Sequence, residues 1–429
     1  MFDSAFRSLR KMLAYSTVLT RDFIIRRYGE RAAVQRPLML WPAFNNAIEW
    51  NTMSARLNWL APPLPEPIEV FAPQTHPFSL AQTDLKSFGL GDMGRSRIRL
   101  VPCSSKEQAQ EVWSRRPIIL LWKTFSRSAV SALPRLSDVH IIDPTFFSSF
   151  EEVEWMRLYL QAADDAASQQ RVDASAAFES FLNTVSDANR VNVCGNGPSL
   201  SELTPSWSAD AINMVCNSAI ESKPLMDQLR PSAVGFIDSV LFGPSLFARR
   251  YFDSLQRCVD TYDSYVFVPA GYAQFLLSQH YPFLRGRLIG MELVPELSYP
   301  TITSLRAAMS GSVVTCLLLP AALGIRPKHI AIWGCDGRDS SKRGVWSYRT
   351  GLSPRLHEAA AAHPAHFRDN VPSEKSLSTF YETYCDHFER LLSYIEQQGV
   401  LVESRSFSHV PALAARYTDC RNSHVSSRP

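Results

Sequence analysis

Long apolar runs are scarce in this chain of 429 residues. The longest, Val313 to Ile325, holds about 13 residues and contains Pro320, whereas a membrane-spanning helix needs roughly 20. No transmembrane segment is expected. The start of the chain also lacks the apolar core and small-residue cleavage site of a signal peptide. The eight cysteines, at 103, 194, 216, 258, 316, 335, 385 and 420, include no Cys-x-x-Cys pair. Several sit inside apolar runs, so they read as reduced core thiols of a cytoplasmic protein, not as disulfides or zinc ligands. Asp-x-Asp is missing, and no His/Cys ligand cluster replaces it, so no metal is expected. Lys and Arg total 44 against 41 Asp and Glu, for a net charge of +3. Without a long basic block, that balance argues against nucleic acid. Internal repeats and low-complexity tracts are absent too.

What is present is ordinary globular material, 45% hydrophobic and 20% charged, in a length that suggests two or three domains. In residues 1–30, Phe2, Phe6, Leu9, Met12 and Leu13 recur at helical spacing among Arg7, Arg10, Lys11, Arg21, Arg26 and Arg27. This basic amphipathic helix either packs on its own domain or lies on the inner face of a membrane as a peripheral contact. Residues 31–150 carry short apolar segments at Leu38–Trp41, Ile68–Phe71, Ile98–Val101, Ile118–Trp122 and Val139–Ile142, with turn-rich pieces between, as in an α/β domain. Residues 151–189, rich in Ala, Glu and Gln, are expected to form a helical bridge. In 190–417, apolar runs at Arg190–Cys194, Ile212–Cys216, Ala233–Ile237, Tyr265–Val268, Arg287–Met291, His329–Trp333 and Val400–Ser404 alternate with helical stretches. The helices are expected at Ser304–Leu323 and Tyr381–Gln398. The fold class is therefore α/β: a Rossmann-like, mostly parallel sheet in the C-terminal half, preceded by a second α/β domain. A polar tail, 418–429, is expected to be disordered.

Three stretches could carry chemistry. Val191 to Cys194 runs into Gly195-Asn196-Gly197-Pro198-Ser199-Leu200, where a strand turning on two glycines would let backbone amides and a helix start meet a phosphate. It is neither Gly-x-Gly-x-x-Gly nor a Walker loop, and a ligand-free tight turn explains the bare pattern equally well. Ser310-Gly311-Ser312 opens the long apolar stretch, where small residues admit either a ligand or a close strand. Gly334-Cys335-Asp336-Gly337-Arg338 puts a carboxylate just beyond a buried strand, where open α/β sheets hold ligands. The basic and aromatic residues after it, including Lys342, Arg343, Trp346, Tyr348 and Arg349, suit either a phosphate-binding lid or a solvated loop.

In this order, Gly-Asn-Gly-Pro-Ser-Leu, Cys216-Asn217, Ser310-Gly311, Leu323-Gly324 and Gly334-x-Asp336 resemble the bacterial lipooligosaccharide sialyltransferases. The chain also resembles the related motility-associated flagellin glycosyltransferases, to which Ile237-Asp238 and Ser310-Gly311-Ser312 come closer. The resemblance spans residues ~190–410. It implies inverting, metal-independent transfer of a sugar from a CMP-activated donor on a Rossmann-like domain, with no cofactor beyond that donor. Carried over by position, it implies that Asn196 touches the donor phosphate and that Asn217 and Ser310 hold nucleotide and sugar. Asp238 stands where the sialyltransferases have Asn, and Arg338 and Tyr348 stand near two phosphate-binding tyrosines. The family's catalytic base is a histidine before the last amphipathic helix, where this chain has His363 and His366.

The residues suit that chemistry on their own terms. A departing nucleoside monophosphate gathers negative charge that Arg338, Tyr348 and loop amides would stabilise, and a near-neutral histidine would accept the acceptor's proton. The donor sugar expected is sialic acid, a related nonulosonate or Kdo, moved to a glycan, glycolipid or protein of a bacterial surface, as in lipopolysaccharide biosynthesis. Competing readings are a pterin-type pyrophosphokinase using ATP and Mg²⁺, a methyltransferase, and a non-catalytic nucleotide-binding module. The methyltransferase loses ground because its Gly-x-Gly-x-Gly loop is missing.

Overall fold

The computed structural model describes residues 37–60 (except 42), 67–74, 96–121 (except 97, 104 and 116), 139–141, 164–238 (except 187), 241, 246–276 (except 271, 274 and 275), 281–337 and 374–419. The chain divides into two compact units, Met1–Asp164 and Asp165–Pro429. Both are α/β.

In the first unit, β1 (Leu38–Trp41), β2 (Ile68–Pro73), β3 (Ile98–Cys103), β4 (Ile118–Leu121) and β5 (Val139–Ile141) form one parallel sheet in the order β3-β2-β1-β4-β5. Alternate residues of β1 serve two cores. Leu38 and Leu40 pack with Trp50, Met53 and Leu57 of α1 (Ala47–Leu60). Met39 packs with Val112 of α2 (Lys106–Ser114). Helices therefore cover both faces, which is why the strands are apolar on both sides. A capping box starts α2: Ser105 Oγ accepts the Gln108 amide, and Gln108 Oε1 accepts the Ser105 amide.

In the second unit, eight parallel strands follow the order β11-β10-β9-β8-β7-β6-β12-β13. In chain order they are β6 (Arg190–Cys194), β7 (Ile212–Cys216), β8 (Ala233–Gly235), β9 (Tyr265–Pro269), β10 (Leu288–Val294), β11 (Arg306–Ala308), β12 (His329–Trp333) and β13 (Leu401–Ser404). The sheet is Rossmann-like, as expected from the alternation of apolar strands and helices. The helices include α3 (Asp164–Thr184), α4 (Lys223–Leu229), α5 (Leu246–Tyr262), α6 (Leu319–Ile325) and α7 (Glu374–Gln397).

Two strands carry asparagine where a buried strand normally carries an aliphatic residue. Asn192 and Asn213 are fully desolvated, yet their polar groups are partnered. Asn192 Nδ2 donates to Asn213 Oδ1 and to the Trp207 carbonyl, each at 2.8 Å, while its Oδ1 accepts the Trp333 indole N–H at 3.3 Å. Asn213 Nδ2 donates to the Leu229 carbonyl at 2.7 Å. The ladder spans β7, β6 and β12 and fastens the segment around Trp207 to the sheet. Arg405 lies 4.1 Å over the Trp207 ring and Arg190 4.7 Å from it, so two cations lie against this half-buried indole.

Three expectations change. The helix expected over Ser304–Leu323 begins only at Val313, because Arg306–Ala308 pairs with β10 as an edge strand and Thr301–Ser304 makes a turn. The helix opens with a π-turn, Val314–Leu318, in which the Leu319 amide reaches the Val314 carbonyl. Pro320 has no N–H for the Cys316 carbonyl, so the i→i+4 ladder is already interrupted there. The helical stretch expected to bridge the halves is instead integral to the second unit: α3 buries Phe178 and Phe181 against Tyr265 and Phe267, the Phe181 ring lying 5.3 Å from Phe267. Thr418, assigned to the polar tail by sequence, is tied to the second unit: its amide donates to the Ser404 carbonyl. The basic segment 1–30 and residues 420–429 lie outside the described residues.

Because Phe181 is fully buried in that aromatic cluster, Phe181→Ala should destabilise the second unit by about 3–5 kcal/mol. Urea unfolding followed by circular dichroism measures this; a loss below about 1 kcal/mol would show that α3 is peripheral.

Candidate functional site

Strands β6 to β11 progress in one direction across the second sheet, and β12 then returns to the other side of β6. The chain order reverses between β6 and β12, and open parallel sheets bind ligands outside the carboxyl ends of the strands at such a point. The Gly195–Leu200 loop leaves β6 there, and Gly334–Gly337 leaves β12. Asn217 follows β7, Asp238 comes shortly after β8, and Ser310 follows β11.

The two glycine loops are locked to one another. The Gly195 amide donates to the Trp333 carbonyl at 2.7 Å, and the Gly197 amide to the Gly334 carbonyl at 2.8 Å. A Cβ on Gly197 would stand 2.6 Å from the Gly334 oxygen; one on Gly334, at φ +63°, would meet Leu200 Cβ at 2.8 Å. Only glycine fits at either place. The Ser199 amide donates to the Asp336 carboxylate at 3.2 Å, and Ser199 Oγ to Asp336 Oδ2 at 2.9 Å. The loop amides expected to cradle a phosphate are thus engaged at Gly195, Gly197 and Ser199, and the Leu200 amide bonds the Gly197 carbonyl. Asp336, expected to face a ligand, holds the start of the short 3₁₀ turn Pro198–Glu202. Burial pushes its carboxyl above the usual range, and the Ser199 bonds oppose that rise.

A third segment, missed in the sequence, closes the lock. After β13, Ser406 Oγ accepts the Gly334 amide at 3.0 Å and lies 2.9 Å from Ser199 Oγ, to which it donates because the one Ser199 hydroxyl proton goes to Asp336. Ser408 Oγ donates to the Cys335 carbonyl at 2.6 Å, and the His409 amide to the Asp336 carbonyl at 2.7 Å. Exposed His409 and Phe407 pack edge to face, 4.9 Å apart. The alternation Ser404-x-Ser406-x-Ser408 directly after an apolar strand was the available signal.

Two side chains beside the lock keep open acceptors. Asn196 Nδ2 donates to Ser218 Oγ at 2.9 Å, and its buried Oδ1 has no partner among the described residues. Asn217 holds a left-handed backbone, φ +49°, and its buried Oδ1 is likewise unpartnered. Asp238 is exposed. Ser310 is buried: its amide donates to Cys316 Sγ at 3.1 Å, so the π-turn grips the Ser310–Ser312 bend, whose Gly311 is exposed. Ser312 caps the helix by accepting the Thr315 amide at 3.3 Å. Beneath these loops lie the thiols of Cys194, Cys216 and Cys335; burial pushes Cys335 up to about 12. Arg338, Tyr348, His363 and His366 lie outside the described residues. Among the described residues, no group of three or more His, Cys, Asp or Glu side chains is arranged to hold a metal, and no helix is long and apolar enough to cross a membrane.

No protein-family model and no curated protein matches the chain. Among solved structures it is similar to the sialyltransferase CstII from Campylobacter jejuni, solved in complex with the substrate analogue CMP-3FNeuAc. The identity is 13% and the TM-score 0.28, over 53% of this chain and 88% of that one. A likeness of this size carries no argument about activity.

Gly197→Ala and Gly334→Ala should each lower the thermal midpoint, and the double variant should lose less than the two together. A coupling of about 0.5–3 kcal/mol is expected for one shared contact; strict additivity would separate the loops. For Asp336 the folded carboxyl titrates above 3.8, so between 3.8 and its raised value the folded state keeps a proton that the unfolded state has released. Stability should therefore fall as pH rises through that window, relative to Asp336→Asn. Urea midpoints of the two proteins across the acid range measure this, and parallel profiles would count against the buried carboxylate.

Proposed function

We propose that the chain is a glycosyltransferase that moves an acidic sugar (sialic acid, a related nonulosonate or Kdo) from a CMP-activated donor to a glycan or protein acceptor, with inversion and without metal. The observation that carries this reading is the convergence of Gly195–Leu200, Asn217, Ser310 and Gly334–Asp336 on the carboxyl ends of one parallel sheet around its switch point. These residues, widely spaced in sequence, are the ones that make the chain resemble CMP-sugar transferases.

In the proposed reaction the acceptor oxygen attacks the anomeric carbon. The bond from that carbon to the phosphate oxygen breaks with its electron pair, and a histidine takes the acceptor's proton. His366 is the proposed base and His363 the reserve. Arg338 and Tyr348 serve the leaving phosphate, because the amides of Gly195, Gly197 and Ser199 are committed within the protein. Asn196 serves the donor through its open Oδ1 and the Nδ2 hydrogen that the bond to Ser218 leaves over, the first accepting from a hydroxyl and the second donating to a phosphate oxygen. Residues 1–30 serve as a peripheral membrane contact.

A thermal-shift screen tests the donor. CMP at about 100 times its Kd should raise the midpoint by about 5 °C or more. ATP with Mg²⁺, UDP and S-adenosylmethionine should not. CMP release from CMP-sialic acid should survive EDTA and fall about 10²–10⁴-fold in His366→Ala, with loss of the acidic limb of the pH profile. Stabilisation by ATP and Mg²⁺ alone would favour a pyrophosphokinase, and CMP binding without turnover a binding module.

A further inference from the structure

At the carboxyl ends of the second sheet, the two sides of the loop lock are furnished differently. Asn196, Asn217 and Asp238, the residues carried over to the donor, follow β6, β7 and β8. On the other side of the switch point, the chain from Arg405 to Val410 joins β13 to the short helix Pro411–Ala414 and runs beside the loop after β12.

Hydrogen bonds hold that segment in place. The Arg405 amide donates to the Ile332 carbonyl at 2.9 Å, and the His409 amide to the Asp336 carbonyl at 2.7 Å. Ser406 Oγ accepts the Gly334 amide, and Ser408 Oγ donates to the Cys335 carbonyl. Tyr381 Oη of α7 reaches the His409 carbonyl at 3.4 Å. With Ser406 and Ser408 buried, Phe407 and His409 are the residues turned outward: Phe407 is 55% exposed, and His409 is exposed as well. Their rings meet at 4.9 Å with planes at 90°. A single exposed apolar side chain usually needs no explanation. This ring differs because its backbone is anchored on both sides and a second ring props it, at the end of the sheet where ligands bind.

The pair presents an apolar ring face beside a group that can both donate and accept a hydrogen bond. A pyranose ring is its complement, with axial C–H bonds on a flat face and hydroxyls around the rim. Because both rings are already held, little ordering entropy is lost on binding. Inversion adds a direction: the acceptor oxygen must reach the anomeric carbon from the side away from the departing phosphate. With the nucleotide over β6 to β8, that approach comes over β12 and β13.

Resting on the transferase reading above, we propose that Phe407 and His409 form the acceptor platform. The acceptor is then a glycan and not a polypeptide, held by a pyranose ring lying on Phe407 with one of its hydroxyls on His409.

Saturation-transfer-difference NMR on the full-length chain, with and without CMP, tests this. The probes are methyl β-glucopyranoside and methyl β-galactopyranoside, their open-chain alditols as controls, and a blocked Ser/Thr peptide. At least one pyranoside should receive saturation, chiefly at the C–H protons of one ring face. Its affinity should fall about tenfold in Phe407→Ala, fall also in His409→Ala, and return in Phe407→Tyr, which restores the ring. Circular dichroism melting verifies that each variant is folded, and the CMP-induced midpoint shift should be equal in all of them. No pyranoside binding in either condition, equal competition by the alditols, binding of the peptide alone, or unchanged affinity in folded Phe407→Ala would overturn the platform. The two readings fail separately: a missing CMP shift strikes the transferase reading, whereas glycoside binding through Phe407 stands or falls on the NMR titration.

Discussion

The structure of the second unit turns on a distance: the backbones of the β6 and β12 loops come close enough to hydrogen-bond where the sheet's chain order reverses. At most switch points two loops diverge and leave a cleft between them. Here Gly195 and Gly197 bond directly to Trp333 and Gly334, so the cleft has a solid floor. That floor accounts for the half-buried carboxylate of Asp336, because Ser199 offers it both an amide and a hydroxyl. It accounts equally for the serines after β13, which take up groups the two loops leave over. Beside that floor, Asn196 and Asn217 each keep a side-chain oxygen with no partner among the described residues.

The division between what could and could not be read from sequence follows from this. Buried parallel strands announce themselves as apolar runs, and the runs at Arg190–Cys194, Ile212–Cys216 and His329–Trp333 are strands with those bounds. Edge strand β11 could not be seen, because Arg306-Ala307-Ala308 is good helix material and becomes a strand only through pairing with β10. The glycine loop was legible as a special turn, but its purpose was not. A glycine needed for a phosphate and one needed for a neighbouring loop look alike until the neighbour is known. Ser406 and Ser408 carried no signal of their own, because hydroxyls reveal nothing of their partners. The polar interior of β6 and β7 was equally silent: Asn192 and Asn213 are strand residues only because each finds the other.

Both units reverse their chain order within a parallel sheet, and in the second, among the described residues, the strand ends flanking the floor carry side-chain acceptors without a partner. Parallel sheets supply the crevice for free, and a few side chains at the strand ends decide what it can hold.

The π-turn at Val314–Leu318 links helix length to direction. A helix carrying one extra residue can lose it and remain a helix, since removal restores the i→i+4 ladder. What changes is angular phase: everything before the bulge swings by about 100° relative to everything after it. In this chain the part before the bulge is Ser310–Ser312. The compass bearing of the site serines is therefore written into the residue count of the helix behind them, and a deletion there would re-aim them without altering one of them.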